Sequence, residues 1–213
     1  MTLSHDGNKA QVTKSLSAAA YVLERTAESW ANIQQISGLP EALYVVGKTL
    51  PNLPILLKSL ESSIKNSEET KEVKDKYAAA SQFAELSQQQ AKYFNLIHDA
   101  VATSDSYNKG KEYRAAAKKS GGTAIEAIMK DLLQRAKGLA AVLVTDEDLK
   151  SRLQEAYEEV AKLEPSLAED PKGHVSLENY GAGNQFYHGG GGNQNHCSGG
   201  NQYTGDGYTI NLA

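Results

Sequence analysis

Ile125-Glu126-Ala127-Ile128-Met129-Lys130-Asp131-Leu132-Leu133-Gln134-Arg135-Ala136-Lys137-Gly138-Leu139-Ala140-Ala141-Val142-Leu143 is the stretch whose reading decides the fold. Ile125, Ile128, Met129, Leu132, Ala136, Leu139, Ala140 and Leu143 recur at steps of three and four, which winds them onto one wide face of an α-helix. A face this wide needs neighbours on several sides, so the helix is expected in the middle of a bundle. Upstream, Thr123 and Glu126 have capping-box spacing and follow the breaker pair Gly121-Gly122. Downstream, Thr145 is the expected N-cap of a further helix, with Asp146, Glu147 and Asp148 in its electropositive first turn. That helix carries Leu149, Leu153, Ala156, Val160 and Leu163 inward and stops at Pro165.

The same periodicity organises the chain towards its start. From Ala10 to Ile36, Leu16, Ala19, Leu23, Ala27, Trp30 and Ile33 form one buried stripe, closed by Ser37-Gly38. A second element carries Leu43, Val46, Leu50, Leu57, Leu60 and Ile64. Pro51 and Pro54 make it either kinked or split in two. A third runs to about Thr103 on Val73, Tyr77, Ala80, Ala84, Ala91, Phe94, Ile97 and Val101. No strand-like alternation of useful length occurs. The expectation is an all-α domain, a bundle of five or six helices over residues 10–164. Residues 1–9 are read as loose, 165–182 as a linker and 183–213 as a repeat tail.

Between Thr103 and Gly122 the chain is basic. A short helix with Tyr113 and Ala117 facing in would present Lys109, Lys111, Arg114, Lys118 and Lys119 together. Two readings follow: a solvated basic face, or a contact for anionic lipid headgroups or phosphate, at roughly 1 kcal/mol per residue near a membrane. No Gly-x-x-x-x-Gly-Lys-Ser/Thr occurs, so a phosphate loop of that form is not expected.

The tail repeats one phrase three times: Gly183-Asn184-Gln185-Phe186, Gly192-Asn193-Gln194-Asn195 and Gly200-Asn201-Gln202-Tyr203. From Gly173 onward there is no Lys or Arg, and 11 of the 18 glycines lie there, so this Gly/Asn/Gln-rich segment is expected to be disordered as a monomer. Stacked in register between copies, its amides would ladder and its aromatic rings would stack. The competing reading is a flexible tail with no ordered state. His174, His188, His196 and Cys197 lack compact zinc-ligand spacing, and a tail without arginine suits nucleic acid poorly.

With 26 acidic and 22 basic residues the chain is mildly acidic. Its single cysteine suits a reducing compartment, and the N-terminus shows no secretory pattern. The longest apolar stretch, Leu39 to Leu57, is broken by Pro51 and Pro54, so no membrane span is expected. His5 and His98 stand apart and no nucleophile or metal motif appears, so neither an enzyme nor a cofactor is expected.

Leu39-Pro40-Glu41-Ala42-Leu43 through Lys48-Thr49-Leu50-Pro51, then Tyr113-Arg114, Gly121-Gly122 and Ile125-Glu126-Ala127-Ile128-Met129, stand in the order of a known family. Over most of residues 15–163 the chain resembles the SesA-like helical domain at the N-terminus of fungal NACHT and other P-loop NTPase receptors, related to HeLo-type cell-death domains. It departs from the family pattern at Lys119-Ser120-Gly121-Gly122-Thr123, where a Gly-Lys-Gly is usual. The tail is similar to the sigma-type amyloid signalling motifs of filamentous fungi. The resemblance implies a cytoplasmic adaptor or effector of cell death or heterokaryon incompatibility. Its tail would be templated by a receptor with a matching amyloid motif, it would pair with itself through that tail, and it would act on anionic lipid at the plasma membrane. The alternative is a non-toxic helical protein-binding module whose tail only links or assembles.

Overall fold

The computed structural model describes residues 8–68, 71–104 and 108–167, and the side chains of residues 72 and 73 are not described. The three tail phrases, the segment 168–182, His5 and residues 1–7 lie outside the described residues. Those described form an all-α bundle: α1 (Lys9–Trp30), a 3₁₀ turn (Ile33–Gln35), α2 (Glu41–Thr49), α3 (Asn52–Asn66), α4 (Lys71–Ala102), α5 (Lys109–Lys119), α6 (Ile125–Leu143) and α7 (Glu147–Ala161). These are the six elements expected from the periodicity, with the second split in two.

The split sits where the prolines require it. Leu50 closes α2, and Pro51 stands at the N-cap of α3, where its missing N–H leaves no bond unmade. Pro54 falls in the first turn of α3 and is buried. The first element is shorter than its stripe suggested: α1 ends at Trp30, and Ile33 reaches the core from the 3₁₀ turn. Gly38 then takes a φ of 76°, which a side chain would strain.

α6 occupies the centre, packing against α2, α3, α4 and α7, while α1 lies against α3 and α4. α6 buries Ile125, Met129, Leu132, Leu133, Ala136, Leu139 and Ala140, and Gly138 lies along it with open space where a Cβ would be. On the α1–α4 seam Trp30 is buried, meets the Phe94 ring edge-on at 6.2 Å and donates its indole N–H to the Phe94 carbonyl at 3.3 Å. Burying a large apolar side chain of this kind contributes about 2–3 kcal/mol. Thr13, Thr26 and Thr49 are buried polar residues, each satisfied by a hydroxyl bond back to a carbonyl one turn earlier.

Candidate functional site

Two of the expected caps move by one residue. α7 is capped by Asp146, whose carboxylate accepts from the Leu149 amide at 3.1 Å, rather than by Thr145. α6 starts after Ala124, which offers no side-chain cap, so the Thr123–Glu126 capping box does not form. The reason is that Glu126 is engaged elsewhere. It is buried, and its two oxygens accept from the Ser166 amide at 2.8 Å and the Ser166 hydroxyl at 2.6 Å.

This carboxylate anchors a polar latch. The Ser166 hydroxyl lies 2.6 Å from the Tyr113 hydroxyl, which in turn accepts from the Ile125 amide at 3.1 Å. Because the Ser166 proton goes to Glu126, the Tyr113 hydroxyl must donate to Ser166. The protons then run one way, from the Ile125 amide through Tyr113 and Ser166 to the carboxylate, and each bond polarises the next. These bonds hold the Glu126 carboxylate in the first turn of α6. Nearby, the Tyr93 hydroxyl of α4 donates to the Thr123 carbonyl at 2.6 Å. Burial raises the Tyr113 phenol, an effect partly offset by the bond it accepts from the Ile125 amide and reinforced by the Glu126 charge. Burial also raises Tyr93, followed by the charges of Tyr113 and Glu126. The latch thus joins α5, the start of α6 and the segment after α7.

Of the cations expected on a common face, the structure groups three. At about 100° per residue, Lys111, Arg114 and Lys118 share a sector of α5 opposite buried Tyr113, Ala116 and Ala117. Lys111 and Lys118 are exposed and Arg114 is half-buried. Lys109 turns away to donate to the Ser104 carbonyl, and exposed Lys119 lies to one side of the cluster. Lys118 and Lys119 occupy the last turn, where the helix dipole favours cations. Asn108 caps the helix by accepting from the Lys111 amide at 3.0 Å. The remaining predicted site residues belong to the three tail phrases, outside the described residues.

Ala42 and Gly47-Lys48-Thr49 match a looser phosphate-loop spelling, and their geometry rules that use out. They lie within α2 rather than in a loop. A Cβ on Gly47 would fall 2.4 Å from Ile33 Cγ2. Lys48 pairs with Glu159 of α7 at 2.7 Å, and the Thr49 hydroxyl donates to the Val45 carbonyl at 2.8 Å. Among the described residues no group of His, Cys, Asp and Glu is placed to hold a metal, and no helix is long and apolar enough to cross a membrane.

A helical bundle that fastens the segment following α7, and carries a basic helix on its outside, defines an all-α helical module. The sequence gives the module its family. Residues 16–139 match SesA, described as the "N-terminal domain on NACHT_NTPase and P-loop NTPases". The match spans more than half of the chain, which therefore belongs to the SesA family. No curated protein and no solved structure matches the chain.

Proposed function

We propose that this chain is a cytoplasmic signalling module of fungal type, an adaptor or effector of cell death or heterokaryon incompatibility recruited by a NACHT-type receptor. The observation that carries the reading is the union in one chain of a SesA domain and a Gly-Asn-Gln phrase written at 183, 192 and 200. An activated receptor oligomerises and presents a stacked amyloid segment. The tail adds to it as further rungs, and the attached bundles are drawn together. The amide side chains of Asn184, Gln185, Asn193, Gln194, Asn201 and Gln202 ladder between copies, and Phe186 and Tyr203 stack. Clustered bundles then meet anionic headgroups through Lys111, Arg114 and Lys118.

Seeded assembly of the peptide spanning residues 173–213 tests the reading. Thioflavin-positive fibrils with a reflection at about 4.7 Å, abolished by Gln185→Lys, Gln194→Lys and Gln202→Lys together, are expected. A peptide that stays monomeric with seeds present overturns templating.

A second reading, a non-toxic binding module, is favoured by one observation. Val12, Leu16, Ala19, Leu23 and Trp30 of α1 are all committed to the core, so no spare apolar stripe is available for insertion. Enforced clustering of the bundle on anionic vesicles separates the two: leakage marks the effector, and intact vesicles the binding module.

A further inference from the structure

We propose that Ser166 is a phosphorylation site for an acid-directed serine/threonine kinase, and that its modification unfastens residues 163–167 from the bundle. The latch geometry alone carries this, whatever the tail beyond it does. Ser166 stands in Glu164-Pro165-Ser166-Leu167-Ala168-Glu169-Asp170, with acid on both sides and no Lys or Arg, a composition suited to a basic substrate groove. Its hydroxyl is the only part of the segment between Leu163 and Leu167 that bonds both Tyr113 and Glu126.

In the closed latch that oxygen must give a proton to a carboxylate 2.6 Å away. Phosphoryl transfer removes the proton. Ser166 Oγ attacks the γ-phosphorus of a nucleoside triphosphate, its proton passes to the kinase's base, the bond to the bridging oxygen breaks and the nucleoside diphosphate leaves. The product carries a charge of roughly −1.5 to −2 at neutral pH. Placed against the Glu126 carboxylate, this charge repels where the hydroxyl donated. The kinase must also grip an extended peptide, so it acts on chains whose latch has opened. The phosphate then holds them open, and the equilibrium shifts by the difference in affinity between the two states.

The test uses the full chain, an acid-directed serine/threonine kinase with magnesium ATP, site mapping by mass spectrometry, and amide hydrogen exchange. Phosphate on Ser166 is expected to speed exchange at the Ser166 and Ile125 amides by about tenfold or more, since both bonds belong to the latch. Glu126→Gln, which loosens the latch and leaves the acceptor, is expected to be phosphorylated several-fold faster, and Ser166→Ala to lose that site. Unchanged exchange at both amides in the phosphorylated wild-type chain overturns the proposal. So does failure to modify Ser166 in both the wild-type chain and Glu126→Gln.

Discussion

Gly47 shows packing overriding propensity at a single atom. Within a helix, alanine is favoured over glycine by about 1 kcal/mol. Here the added methyl would meet Ile33 Cγ2 at 2.4 Å, with Trp30 Cε3 close behind at 3.4 Å. Relieving such an overlap costs about 1–3 kcal/mol. Gly47→Ala is therefore expected to lower the urea midpoint, and the double variant with Ile33→Ala to lose less than the two single losses combined. The latch phenols give a second residue-scale prediction. Tyr93 and Tyr113 are both raised above their ordinary value of 10.0, so the folded chain keeps protons that the unfolded chain releases. Stability that is complete below that value is lost as the pH climbs past it. Urea melts at about pH 8 and about pH 11 should show the lower midpoint at the higher pH, and Tyr113→Phe should narrow the gap.

At the scale of elements, the start of α7 offers a paired test. Asp146→Ala removes the carboxylate that accepts from the Leu149 amide and should cost about 1 kcal/mol, whereas Thr145→Ala should change stability by less than about 0.5 kcal/mol. Either residue satisfies the preferences of a cap, which is why periodicity and composition placed the helix but missed its first residue by one. The stripes themselves were legible: Leu149, Leu153, Ala156 and Val160 are buried as their spacing requires. So was the break at Pro51, because a missing N–H acts locally. The latch was not legible. Glu126 looked committed to Thr123 three residues away, but its partner Ser166 lies 40 positions on, and Ser166 meets Tyr113 across 53. A segment that read as linker carries the contact, and no local pattern announces a bond of that range. Of the basic cluster, residue type revealed the charges but not that Lys109 bends back to Ser104.

Over the whole molecule, α4 separates two sets of attachments with adjacent residues. Phe94 accepts the Trp30 indole of α1, and Tyr93 holds the Thr123 carbonyl ahead of α6. Where the chain is cut after α7 should therefore matter more than how much is removed. A chain ending at Leu167 retains the Ser166 bonds and should melt close to the full-length protein. One ending at Glu164 leaves Glu126 and Tyr113 without their partner and should be less stable by about 2–4 kcal/mol. Comparing thermal midpoints of the two truncations checks this.

Trp30 is the sole tryptophan in the 213 residues, and its ring lies 5.9 Å from the His98 imidazole. Its emission is thus a single-colour gauge of the α1–α4 seam. If the tail assembles while the bundle rides along as intact cargo, the emission stays blue and unshifted as fibrils grow. A red shift in step with assembly would mean that the seam has parted and the bundle itself has changed state.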